Sequence, residues 1–223
     1  MSLKVYIEKH LLEITLETLY MVGFSALIAI IFALVIGSLL YLLRKNKNKT
    51  LQIIYKIINV IINIFRSFPF LILIFWLIPF TRNVMNIFTG NASFTGNNAA
   101  IVPLAVAAIP FFTKLVENAL VEVDDGVVEA ATALGFNKFQ IISKGVLREA
   151  LPAIISSLTL GIITLIGYTA MAGAVGAGGI GNFAIMYGQQ KYDQNALWFA
   201  VITVIILVQL VQMIGNCLYK LTK

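Results

Sequence analysis

Apolar residues run along this chain in blocks too long for an ordinary soluble helix, and polar residues gather in the short intervals between them. Four blocks, roughly 18–43, 99–120, 152–175 and 196–218, are predominantly apolar. Each reaches the length, about 20 residues, that a helix needs to cross the hydrocarbon core with its backbone bonds satisfied internally. A fifth block, 51–80, is long enough but carries Lys56, Asn59, Asn63 and Arg66. Their spacing of three, four and three residues puts them on one helical stripe. Such a stripe cannot face lipid at mid-membrane. It lines protein, or the first half of the helix projects beyond the membrane; the pattern predicts a mixture, with 68–80 in the membrane. The reading is an all-α integral membrane protein with five transmembrane helices.

Ahead of the first block, residues 3–17 mix Lys4, Glu8, Lys9, Glu13 and Glu17 with apolar positions, and no small-residue cleavage pattern follows. Segment 1–13 therefore reads as an amphipathic helix at the membrane interface rather than a signal peptide. A membrane domain over 14–212 and a tail over 213–223 complete the expected organisation.

Composition sharpens this picture. The 223 residues are 60% hydrophobic and 12% charged, with a mean hydropathy of +0.93. A soluble domain carries about 25% charged residues, so lipid must be the second solvent. The net charge of +6 does not point to nucleic acid, because the basic residues cluster in short polar breaks without interleaved aromatics. With five spans and the N-terminus outside, the inside segments hold Arg44, Lys45, Lys47, Lys49, Lys138, Lys144, Arg148, Lys220 and Lys223. The outside segments hold Lys4, Lys9, Arg82 and Lys191. This bias predicts a cytoplasmic C-terminus. Cys217 sits in an apolar run with no second cysteine, and His10 has no acidic or cysteine cluster beside it, so neither a disulfide nor a metal site is expected.

The longest polar interval, 121–151, is patterned rather than linker-like. Asp124 and Asp125 precede a helical stretch that ends at Gly135. The acids suit the helix N-terminus, and the glycine suits a left-handed position after the last turn. Asn137 with Gln140 three residues on reads as a capping box for a second helix. Pro152 is expected to bend or restart that helix where it meets the next span. Within the interval lies Glu129-Ala130-Ala131-x-x-x-Gly135, followed by Leu151-Pro152.

This segment resembles the Glu-Ala-Ala loop of bacterial ATP-binding-cassette importer permeases, in which the loop forms a coupling helix that docks on a cytoplasmic ATPase subunit. The resemblance implies a coupling role for Glu129, Ala130, Ala131, Gly135, Leu151 and Pro152. The family often has an isoleucine shortly before Leu-Pro, where this chain reads Leu147-Arg148-Glu149-Ala150-Leu151-Pro152. Similarity extends from about Ile14 to Val211. Arg66-Ser67-Phe68-Pro69-Phe70, Ile78-Pro79-Phe80-Thr81-Arg82, Gly176-Ala177-Gly178-Gly179-Ile180-Gly181 and Tyr187-Gly188-Gln189-Gln190 look like the methionine-importer permeases. What this implies is a type I ABC importer permease fold over 14–212, in the inner membrane, carrying methionine in one or both enantiomeric forms. Two permease copies, two ATPase subunits and an external substrate-binding protein are implied as partners. ATP and Mg would then sit on the ATPase, with no cofactor on this chain.

The fourth block holds Gly161, Gly167, Tyr168, Met171 and Gly173 before the glycine run. Small residues permit close packing or unwound backbone, tolerated at depth only against protein or a water-filled cavity. The stretch 168–181 is therefore expected beside a solute path. The candidate pathway set is Tyr168, Met171, Gly173 and Gly176 with Pro69 and Phe70. Met171 suits an adaptable gate contact and equally suits plain packing. Gly176-x-Gly178-x-x-Gly181 fits the dinucleotide fingerprint only if a strand precedes it, and an apolar span stands there instead. Pro69, Pro79, Pro103 and Pro110 are expected to kink the second and third spans. Lys114 and Glu117, three residues apart near the inner end of the third span, are expected to pair or to snorkel toward water.

No Gly-x-x-x-x-Gly-Lys-Ser/Thr loop occurs, and one histidine with few acids assembles no catalytic constellation. Active transport would need its energy from another polypeptide, and five spans form a thin bundle that calls for a second copy. A permease for another small solute stays open, as does a secondary carrier or channel, though those would want charges at the bundle centre.

Overall fold

The computed structural model describes residues 3–46 and 48–222, with side chains from Val5 onward. Lys47, Lys223 and the side chain of Lys4 lie outside the described residues. The first helix, α1, runs unbroken from Leu3 to Arg44. At 1.5 Å per residue that is about 63 Å, twice the hydrocarbon thickness. From Leu3 onward the expected interfacial segment 1–13 is thus no separate element but the opening turns of α1, and residues 1–2 lie outside the described residues. Tyr6 is buried among Phe183, Tyr187 and Phe199 and donates its hydroxyl to Asp193 at 2.8 Å. The amphipathic segment therefore packs on protein, which holds it in line with the span.

The second block departs further from expectation. In place of one span over 51–80 there are three helices, α2 (Lys49–Ser67), α3 (Phe70–Trp76) and α4 (Ile78–Thr89). The axes of α2 and α3 differ by 101°. Pro69 lacks an N–H and forces the residue before it out of helical geometry, and Phe68 is indeed extended at φ −70°, ψ 127°. Pro79 does not kink a helix interior but opens the first turn of α4, where a proline costs nothing.

The remaining elements are α5 (Asn97–Val121), α6 (Asp125–Ala133), α7 (Lys138–Gln140), α8 (Leu147–Ala172), α9 (Gly179–Phe183) and α10 (Gln194–Thr222). A π-helical turn over Ile141–Val146 joins α7 to α8, and another over Ala184–Gln189 follows α9. Among the described residues four stretches are long and apolar enough to cross a membrane, and there are five if the bent pair α2–α3 counts as one broken span. The tail drawn from 213 has no break, since α10 continues to Thr222.

Small residues set the helix spacing. Ala26, Ala29, Ala33 and Gly37 are buried along α1, and a Cβ on Gly37 would lie 2.9 Å from Val116 on α5. A Cβ on Gly161 of α8 would meet the Phe112 ring at 2.5 Å, and one on Gly215 of α10 would meet Thr159 at 2.3 Å. Backbones that approach this closely gain dispersion contacts, which lipid-facing apolar surface alone does not supply. Pro103 and Pro110 lie buried inside α5.

Candidate functional site

The interval between α5 and α8 folds by local rules. The Asp124 carboxylate accepts the Gly126 N–H at 2.7 Å and caps α6. At the other end Gly135 takes φ +77°, while Phe136 N–H bonds Ala131 O at 3.1 Å and Gly135 N–H bonds Thr132 O at 2.9 Å. That pair of bonds is the Schellman closure. Asn137 and Gln140 exchange side-chain and backbone bonds at 2.9 and 3.0 Å, the reciprocal capping box that their spacing predicts. Lys45 pairs with Asp125 and ties the unit to the end of α1. The carboxylate beside it holds the Lys45 ammonium above the usual lysine range.

Within this unit Glu129 and Ala130 are exposed, whereas Ala131 faces inward and is buried. Only one of the two alanines thus offers a close-approach surface. The apolar surface comes from residues that the sequence reading did not single out. Leu134 and Phe139 are 75% and 78% exposed, with Phe136 at 37%. Their signal was three large apolar residues within six positions at the Gly135 turn, where a solvated turn would be polar. Leu151 is exposed and Pro152 half-buried. Pro152 does not restart a helix, for α8 runs through it without a break. The irregular backbone lies upstream, in the π-helical turn.

At the far end of α5 and α8 the glycine run makes a turn held by side chains from two distant helices. Glu17 of α1 accepts the Gly179 N–H at 2.6 Å and the Asn97 amide at 2.9 Å. Asn97 in turn accepts the Gly178 N–H at 2.6 Å, and Thr18 accepts the Ile180 N–H at 3.0 Å. Gly176 and Gly179 take φ +73° and +83°. A Cβ on Gly178 would lie 2.2 Å from Glu17 Oε2, and one on Gly181 would lie 2.1 Å from Ala170 Cα. A neighbouring backbone accounts for Gly181 and the Glu17 carboxylate for Gly178, and no strand precedes them among the described residues. Sequence reasoning missed Glu17, Thr18 and Asn97; the available signal was an acid carried into the start of an apolar helix.

Of the candidate pathway residues, the structure brings Phe70 and Tyr168 together. Their rings stack with centroids 4.8 Å apart and planes 4° off parallel. Pro69 is exposed at the α2–α3 break beside a cleft of about 540 Å³ lined by Asn63, Ser67 and Phe68. Met171 lies one turn beyond Tyr168 and is 45% exposed. Gly173 and Gly176 belong instead to the glycine turn, where a Cβ on Gly173 would meet Asn182 at 3.1 Å.

The polar stripe of α2 is divided. Asn59 accepts from Lys114 at 2.8 Å, while Lys56, Asn63 and Arg66 are exposed. Lys114 pairs with the fully buried Glu117 at 2.5 Å. Glu117 also accepts from Tyr55 at 2.9 Å and lies 3.8 Å from Arg44. A buried carboxylate is costly unless paired and hydrogen-bonded, and here partners from α1, α2 and α5 converge on it.

Known proteins match this chain over nearly its whole length. The probable D-methionine transport system permease protein MetI of Pasteurella multocida (strain Pm70) is 46% identical over 91% of this chain and 90% of its own. The methionine import system permease protein MetP of Bacillus subtilis (strain 168) is 40% identical over 91% and 88%. Among solved structures, an inward-facing form of the MetNI methionine ABC transporter aligns with a TM-score of 0.88 at 39% identity, covering 96% of each chain. A crystal structure of an amino acid ABC transporter with histidines aligns at 0.74 and 16% identity over 97% and 96%, a likeness of fold alone. The fold is that of type I ABC importer permeases. The family described as "binding-protein-dependent transport system inner membrane component" matches residues 34–222, and with such relatives across nine-tenths of its length the chain belongs to that family of membrane transport subunits.

Proposed function

We propose that this chain forms the translocation pathway of an ATP-driven methionine importer by alternating access. The supporting observation is the α6–α7 unit: a locally capped lever on which Leu134 and Phe139 stand exposed. Relatives named for methionine transport supply the substrate class. In this reading the unit docks on a cytoplasmic ATPase, with Glu129, Ala130, Ala131 and Gly135 at or behind the contact and Leu151-Pro152 at its base. Two copies of the chain face two ATPase subunits, which hold ATP and Mg, and an extracytoplasmic binding protein delivers the solute. The N-terminus is outside and the C-terminus cytoplasmic. Phe70 and Tyr168, with Pro69 and Met171, flank the solute path, and Gly173 and Gly176 shape its outer end.

The test is uptake of labelled methionine by the reconstituted complex, with unlabelled D-methionine and other amino acids as competitors. Substitution at Glu129 or Gly135 is expected to leave basal ATPase activity while uptake falls tenfold or more. Undiminished uptake in both variants would favour a secondary carrier. Competition by an unrelated solute, with none by methionine, would move the substrate assignment elsewhere in the family.

A further inference from the structure

Beside the docking unit runs a groove of about 910 Å³ between the end of α1, the start of α2 and the α6–α7 turn. Its walls are apolar, including Leu42, Leu51, Val128 and Ile141. Polar groups break this lining: Asn46, Thr132 and Asn137, and the three that bear on a ligand, Lys138, Lys45 and Tyr41. Lys138 is exposed and has no acidic partner among the described residues. Lys45 spends one donor on Asp125, and an ammonium has three. Tyr41 is 3% exposed, and its hydroxyl makes no well-formed hydrogen bond, although the Lys45 ammonium lies over its ring, 5.2 Å from the centroid. A buried hydroxyl left unpaired is costly, so a polar ligand atom in the groove would relieve it.

The groove also crosses a boundary. Leu39, at one end, lies in the apolar run of α1 and is half exposed. Lys45 is six residues further, about 9 Å along a helix axis, and Lys138 lines the same groove. A ligand filling it must be apolar at the Leu39 end and anionic at the lysine end. Basic pockets between membrane helices on the cytoplasmic side suit anionic head groups. We propose that this groove binds an anionic phospholipid, its phosphate at Lys138, Lys45 and the Tyr41 hydroxyl and its first acyl carbons along Leu42 and Leu51. A lipid seated there touches both α1 and the docking unit, so its presence would bias how the unit is held.

Native mass spectrometry of the delipidated complex, given phosphatidylglycerol and phosphatidylcholine in equal amounts, tests this. The wild-type complex should retain the glycerol lipid at least fivefold over the choline lipid. Y41F and K138Q should each lower that retention severalfold, K138R should restore it, and K144Q, outside the groove, should leave it unchanged. Equal retention of the two lipids overturns the proposal. So does an effect of K144Q as large as that of K138Q, which would mean diffuse surface attraction. Labelling of Leu42→Cys in a C217S background separates lipid from protein occupants. A thiol reactive in the delipidated complex and protected by phosphatidylglycerol supports the proposal, while one already protected without lipid shows that a protein subunit fills the groove.

Discussion

Two turns at opposite ends of α5 and α8 are built on different principles. The turn around Gly135 is closed by residues within five positions of each other: Asp124 on Gly126, Phe136 on Ala131, Asn137 on Gln140. The turn around Gly178 is closed by Glu17 and Thr18, which lie 162 residues from their partners, and by Asn97, 81 residues away. A turn satisfied by its own neighbours keeps its shape when the helices around it shift. A turn whose donors end on other helices holds its shape only while those helices stay together. The first suits a part that must move as a unit and be gripped from outside. The second suits a fixed junction at the end of a bundle.

The largest test of this contrast is Glu17→Ala. It leaves the buried Gly179 N–H and the half-buried Asn97 amide without acceptors, and an orphaned group costs about 1–3 kcal/mol when it is shut off from water. A loss of roughly 3 kcal/mol is expected, read as the unfolding midpoint of the detergent-solubilised protein. If stability is unchanged, the glycine turn is not held by α1. Next in size is Gly181→Ala. Its Cβ would sit 2.1 Å from the Ala170 Cα, a backbone atom that cannot swing aside, so overpacking of about 2 kcal/mol follows. A crystal structure of the variant should show α9 displaced from α8.

The same contrast explains what could be read before the fold was seen. Asp124, Gly135 and the Asn137–Gln140 pair were legible because capping is a rule of short spacing. Long apolar blocks were legible as spans for the same reason. The partners of Glu17 were not, since no spacing links residue 17 to residue 179, and α1 reads as an amphipathic lead-in until Tyr6 and Glu17 are seen to meet the C-terminal half. The break at Phe68–Pro69 falls between these cases. A proline announces a disturbance, but only packing of Phe70 on Tyr168 decides that the chain turns by 101° rather than kinking slightly.

A smaller effect is expected at the local turn. Gly135→Ala meets no atom within 4 Å, so only the left-handed backbone resists it, at about 1 kcal/mol. Gly135→Asn should recover most of that loss, because asparagine tolerates the same region. Thermal unfolding of the two variants side by side separates backbone strain from crowding. If alanine and asparagine are equally destabilising, the conformational account of Gly135 fails.

The smallest effect on the fold, and the one that most sharply divides the two turns, is expected from Leu134→Ser with Phe139→Ser. Both side chains are at least three-quarters exposed in the isolated chain, so removing them changes stability by less than about 0.5 kcal/mol. Nothing within the chain rests on them. Their apolar area gains value only when a second surface covers it, at about 25 cal/mol per Å². If that surface is an ATPase subunit, co-purification of the partner should weaken by tenfold or more, equivalent to about 1.4 kcal/mol, with the melting of the chain itself unmoved. A double variant that unfolds the chain would instead show that these residues pack inward, and the lever would have to be gripped elsewhere.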